Sequence, residues 1–183
     1  MNPAASFYKS VSAIVAALQT AVQAVQLPEE PYGAGNAFGR VEIFDSEDLA
    51  AAFQFLTIVD QRVCVIVPLE EKFTRESKNT KLIVHRVLPV ALLISDRVLG
   101  NRKQALLGDN QTTPGAMGLL ALTLPAVTGM LLPNPSGVVS EPIADYVMVL
   151  KNNADKKLPN RICVCLEMNC RGGRLEAAVM PVT

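Results

Sequence analysis

The segment PGAMGLLALTLPAVTGMLL, residues 114–132, lies in the longest uncharged stretch of the chain. A helix that is apolar on nearly every side must be buried on several sides or lie in lipid. Its length approaches the about 20 residues of a membrane span. Gly115, Gly118, Gly129 and Pro125 weaken a spanning helix, and no lysine, arginine, tryptophan or tyrosine flanks it closely as an interfacial anchor. The segment therefore reads as a buried helix beginning at Pro114. Thr113 is its cap, and Pro125 kinks or stops it. In a domain this small, one of its sides is expected to face a neighbouring subunit.

The chain has 183 residues, 50% of them hydrophobic and 19% charged. That suits one domain over residues 1–183 and excludes a disordered chain. Lysine plus arginine equals aspartate plus glutamate, at 17 each. Such a balance lacks the positive field behind non-specific nucleic-acid binding or attraction to an anionic membrane, and it removes a repulsion between copies. The N-terminus lacks the basic start of a secretory signal, so the chain is expected to be made and kept in a cytoplasm.

Residues 3–26 repeat apolar side chains at steps of three and four, from Phe7 through Val11, Ile14, Val15, Leu18, Val22 and Val25. This predicts an amphipathic helix, with Asn2 as cap and Pro3 in its first turn. The turn-rich PYGAGNAFG follows. GRVEIF (39–44) alternates as a strand, and a brief helix runs through Leu49, Phe53 and Leu56. RVCVIVP (62–68) is a β-branched, buried strand. Glu70 to Lys81 is charged and reads as a solvated loop or hairpin tip. Residues 81–98 hold one or two strands, with Pro89 marking an edge, bulge or turn. Residues 100–113 read as a polar loop. IADYVMVL (143–150) and RICVCLEMNC (161–170) are strands, the second apolar on both faces at its start and so central or interfacial. Residues 171–183 read as a loosely held tail. The fold class is α+β: a twisted, mostly antiparallel sheet flanked by the N-terminal helix and the central apolar helix.

Catalytic signals are sparse. His85 is the one histidine, and it sits inside KLIVHRV on an expected strand, where a structural role is the simpler reading. No GxSxG, HExxH, GxxxxGK[ST] or GxGxxG occurs. The pairs Glu29–Glu30, Asp45–Asp48 and Glu70–Glu71 are acids near in sequence, which says little without a facing geometry. Asp109 and Asn110 end a loop but supply too few ligands for calcium. Cys64, Cys163, Cys165 and Cys170 have no CxxC spacing and read as buried thiols, not as a metal or redox site. Tryptophan is absent and no base-stacking signature is present. The expectation is a protein without cofactor or metal that works by assembly and is not an enzyme.

The segment LLISDRVLGNRKQALLGDNQTTPGAMGLLALTLPAVTGMLLP resembles phage tail-completion proteins, especially the Mu-like tail-terminator family. There a strand leads through a glycine-containing turn into a helix of the form GAxxLxxxxxxxLxG. The residues that carry the likeness are Ala105, Leu106, Leu107, Gly108, Gly115, Ala116, Leu119, Leu120, Val127, Gly129 and Met130, within residues 87–133. Pro125 departs from the pattern, as does the extension beyond Arg171. The resemblance implies a twisted sheet with flanking helices and a ring, commonly of six copies, that caps the tail tube. It implies partners in the tube protein, in the head–tail connector or neck proteins, and in the sheath of a contractile tail. It implies a place in the virion tail, assembled in the host bacterial cytoplasm. Neck, sheath or baseplate subunits share these sequence features, and a small ligand-binding domain or enzyme is the reading from another class.

The candidate contact residues come from side-chain chemistry. Leu119, Leu122 and Met130 lie on the apolar segment. Glu70, Glu71, Lys72 and Arg75 form a charged loop suited to a rim or lumen. Lys151, Lys156, Lys157 and Arg161 suit an acidic partner. For each, plain core or plain solvent-facing surface is the competing reading.

Overall fold

The computed structural model describes the backbone of residues 3–59, 62–78, 81–97, 101–128, 130–132, 138–149 and 161–178. Side chains are described for 11–47, 50–59, 62–73, 87–97, 101–128, 130 and 161–170. The elements in chain order are α1 (Pro3–Gln23), β1 (Gln26–Leu27), the single turn α2 (Glu29–Tyr32), β2 (Gly35–Asn36) and β3 (Arg40–Ile43). A short 3-10 turn (Ser46–Asp48) leads into α3 (Leu49–Ile58), then β4 (Val63–Pro68), β5 (Lys72–Lys78) and β6 (Lys81–Arg97). The chain continues through α4 (Arg102–Leu107), α5 (Gly115–Val127), β7 (Leu131–Leu132), β8 (Val138–Val149) and β9 (Arg161–Ala178).

Aliphatic runs without a polar face make strands that are buried on both sides. Leu88–Ile94 of β6 and Ile162–Leu166 of β9 are such runs, within strands of 17 and 18 residues that pair antiparallel from Lys81↔Ala178 to Arg97↔Arg161. They form the middle of a sheet ordered β3-β4-β6-β9-β8-β7. β3 and β4 are parallel, and the other pairs are antiparallel. The α+β class and the mostly antiparallel sheet match the sequence expectation, and β9 is a central strand.

Alternation along the strands divides the core in two. On one side, Leu88, Val90, Leu92 and Ile94 of β6 meet α1 through Ile14, Leu18 and Val22, and α5 through Ala116 and Leu119. On the other, Val63, Val65 and Val67 of β4 join Leu93 and Cys163 beneath Ala52 and Leu56 of α3. The expected flanking helices, α1 and α5, therefore share one face. α3, read from the sequence as a brief helix, covers the other.

Pro89 lies inside β6, opposite Asn169 of β9. On its other side the partner changes: β5 pairs up to Val87, and β4 pairs from Val90. The Pro89 carbonyl accepts from Leu69 N at 2.9 Å. The missing proline N–H thus falls where one neighbour hands over to the next and costs the ladder little. A register shift follows at once. His85 faces Arg174 and Val87 faces Arg171, so Arg86 stands opposite both Gly172 and Gly173. An extra residue with this placement is a bulge, and glycine suits its backbone.

Two polar residues at the end of β6 tie the sheet to both helical layers. Asp96 is 4% exposed and accepts from Thr113 Oγ1 at 2.5 Å, just ahead of α5. Thr113 Oγ1 in turn accepts from Gly115 N at 3.2 Å. The helix was expected to start at Pro114 with Thr113 as its cap; it starts at Gly115, with Pro114 in the N-cap position and no side-chain cap. On the opposite face Arg161, also 4% exposed, donates to Ser95 Oγ at 3.4 Å and to the Val59 carbonyl after α3. A guanidinium at a helix C-terminus meets both unpaired carbonyls and the negative end of the dipole.

Several expectations change. Residues 102–107 form α4 where a loop was expected: Asn101 Oδ1 caps the turn by accepting from Gln104 N at 2.8 Å. Residues 72–78 are a hairpin strand, paired to β6 along their length. Residues 171–178, read as a tail, continue β9 against β6, and residues 179–183 lie outside the described residues. α5 runs two residues past Pro125. Pro125 removes one hydrogen bond, to the carbonyl of Ala121, and both residues are on the exposed side, where water can take that carbonyl. No helix among the described residues is long and apolar enough to cross a membrane.

Leu119 is fully buried among α1, α5 and the sheet. Leu119→Ala should cost about 2–5 kcal/mol in urea unfolding, the range for truncating a core leucine to alanine. Gly115 has φ +66° and packs against the backbone of Leu106 and Gly108. Gly115→Ala should cost at least about 1–3 kcal/mol, the cost of a non-glycine residue held in that region. A thermal melt unchanged from wild type would contradict the close approach.

Candidate contact groove

The strand β4 ends at Pro68, and Leu69 turns the chain across Pro89 of β6 into β5. β3 ends beside it: Phe44 N donates to Ile66 O at 3.0 Å, after which the chain leaves the sheet. α1 lies over the same corner. These three departures leave a groove of about 760 Å³. Its apolar lining includes Val11 and Val15 of α1, Ile43 of β3, Leu69, Phe73 of β5 and Leu88 of β6. Leu88 and Val15 are buried and form its floor. Among the described residues the exposed large apolar side chains are Ile43, Ile58, Phe73 and Leu107. Ile43 is 41% exposed and Phe73 51%, and both line this one groove. Apolar surface gathered this way is a mark of contact sites, whereas single exposed residues are ordinary.

Among the described side chains the groove mouth is mainly acidic. Asp45 and Glu71 line it, and Glu47 and Glu70 are exposed beside them in sequence. Asp45 Oδ1 accepts from Glu47 N at 3.1 Å and from Ser46 Oγ at 3.3 Å, which fixes the 3-10 turn that follows β3. Lys72 is exposed next to this group.

The structure separates the residues singled out from the sequence. Glu70 and Lys72 are exposed, and Glu71 reaches the groove. Arg75 lies in β5 opposite Val84, with its side chain outside the described residues. Leu119 is a correction: it is 0% exposed, so it packs the chain's own core and presents no contact surface. Leu122 and Met130 are half-buried against that same core. Arg161 is a second correction, since its guanidinium is consumed inside the fold by Ser95 and Val59. Lys151, Lys156 and Lys157 lie outside the described residues, as does the side chain of His85. Ile43 and Phe73 escaped the sequence reading. A lone aromatic inside the charged run EEKFTRESK was the available signal for Phe73.

Other chemistry-bearing groups are tied up. Asp109 accepts from the N–H groups of Gln111, Thr112 and Thr113 at 3.0, 2.8 and 2.9 Å, from Gln104 Nε2 at 2.6 Å, and from the Thr112 hydroxyl. The Thr112 hydroxyl, followed by the backbone N–H groups, holds its carboxyl far below the usual range. Asp109 is thus the staple of the α4–α5 connection. Beside it Gly108, at φ +82°, has no room for a side chain: a Cβ would stand 2.6 Å from Pro114 O. Among the described residues no group of three or more His, Cys, Asp or Glu side chains is placed to hold a metal.

The four cysteines are free and buried. Loss of solvation pushes every thiol upward: Cys165 to about 11, and Cys163 and Cys170 to about 12, with Cys64 higher still. Neighbouring Cys165 adds to the rise at Cys163, while Arg161 opposes it. A buried thiol with a raised pKa is a poor nucleophile.

No family model matches the sequence, and no curated protein matches it. Among solved structures, a chain of "Virion of native gene transfer agent (GTA) particle" is similar at a TM-score of 0.46 and 10% identity, over 90% of this chain and 98% of that one. A likeness of that size carries no inference of fold or activity.

The cysteines predict an alkaline limit to stability. Unfolded thiols ionise above their ordinary value of 9.0, while the folded ones stay neutral to about 11 or beyond. Stability is full below about pH 9 and falls as pH rises toward the folded values. The urea midpoint should therefore drop between pH 8 and pH 10.5, and the drop should shrink in a Cys163→Ala, Cys165→Ala variant.

Proposed function

We propose that this chain is a structural subunit of a bacteriophage-like tail that acts through protein contacts and not by catalysis. Within that class the role we propose is the tail terminator, a ring that caps the tube and meets the head–tail connector. The observation that carries the reading is the groove, where Ile43 and Phe73 stand exposed above a buried apolar floor. Surface of this kind is covered when a subunit assembles. The terminator-like segment 87–133 supports the finer role. Its glycines Gly108 and Gly115 meet backbone to backbone in the turn ahead of α5.

A ring needs one repeated side-to-side contact whose rotation closes. Light scattering on the purified chain should give a mass several times 19.7 kDa. Electron microscopy should show rings, and added tube protein should give tubes of limited length. A monomer at all concentrations that leaves tube length unchanged would defeat the terminator role. The groove volume also falls within the roughly 300–1,000 Å³ of small-ligand pockets. An apolar dye that binds stoichiometrically and is not displaced by assembly would favour that second reading.

A further inference from the structure

We infer that the groove is the acceptor half of a head-to-tail contact between copies, and that its occupant is the lysine-rich segment 151–160 of the neighbouring copy. The inference rests on the assembly reading above and adds the two surfaces that meet. The groove offers apolar walls at Ile43 and Phe73 and a mouth where, among the described side chains, Asp45, Glu47, Glu70 and Glu71 outnumber Lys72. The segment KNNADKKLPN offers the opposite pattern: Lys151, Lys156 and Lys157 with one acid, Asp155, and then the apolar pair Leu158–Pro159. Basic groups meeting an acidic rim around an apolar centre is the arrangement that sets register and speeds association at protein contacts.

The segment cannot fill its own groove. Lys156 and Lys157 stand five and four residues before Arg161, a tether of at most about 18 Å. Arg161 is paired with Arg97 at one end of the β6–β9 ladder. The groove floor is at Leu88, nine residues back along β6, about 30 Å away at 3.3 Å per residue. The groove opens beside β3 and β4, whereas β8 and β9, the strands that the segment joins in sequence, pair on the other side of β6. A contact between two unlike surfaces is heterologous, the kind that generates rings.

Charge reversal on the full-length chain tests this. Asp45→Lys with Glu47→Lys should weaken self-association at least about tenfold, the equivalent of about 1.4 kcal/mol. Lys156→Glu with Lys157→Glu should do the same, and all four changes together should restore association to near the wild-type value. In a mixture of isotopically light and heavy protein, zero-length crosslinks between Lys156 or Lys157 and Asp45 or Glu47 should join light to heavy chains. Wild-type rings that both reversals leave intact overturn this inference while the assembly role stands. A wild-type chain that stays monomeric overturns both. Phe73→Ser, checked for folding by circular dichroism, should also weaken association. A folded Phe73→Ser protein that associates normally excludes the groove.

Discussion

The pairing of β6 with β9 is the constraint from which the other placements follow. It spans both strands from end to end, and every other strand of the large sheet is positioned from it. β4 and β5 take successive halves of one β6 edge, while β8 follows the far edge of β9. Long non-local pairings of this kind close large loops before they are rewarded, so the ladder is also the costly part of the fold to form. The helices contribute little to this pairing. They cover its two faces, and their positions are set by which side chains the pleat turns toward them.

That division explains what could be read from residues alone. α1 was legible because its apolar side chains repeat at helical steps over six turns, and β4 because five consecutive residues are β-branched or small and apolar. α4 was hidden. It has six residues, and its stability lies in the Asn101 cap and the Asp109 staple, both of which look like loop chemistry in sequence. The continuation of β9 through Arg171–Ala178 was hidden for another reason. RGG reads as a breaker, yet here the glycines fall in a bulge and the ladder resumes beyond it. Burial was least legible where charge misleads. Arg161 looked like a surface cation and is instead spent on a helix end and a serine.

The contact groove illustrates the same point from the other side. It is made where three elements leave the sheet at one corner, so no local pattern announces it. Ile43 ends an alternating strand and Phe73 sits in a charged one, and neither is unusual until the corner brings them together. The sequence pointed instead to the apolar segment 115–132, whose central leucine proved to be core. An apolar helix in a domain of this size can be satisfied by its own sheet and α1. The surplus apolar surface lies elsewhere.

Ser95 and Asp96 have a consequence for strand alignment. From Leu88 to Ile94, β6 is apolar on both faces, so sliding it by one residue against β9 would exchange one apolar set of side chains for another. Hydrophobicity alone therefore discriminates weakly against the slipped sheet. The adjacent polar pair discriminates strongly. A slip would turn Asp96 toward α3 and away from Thr113, and would leave Arg161 without Ser95, stranding buried charges that now have partners. Two polar residues at the strand's end thus act as the key that makes one alignment out of several nearly equivalent ones.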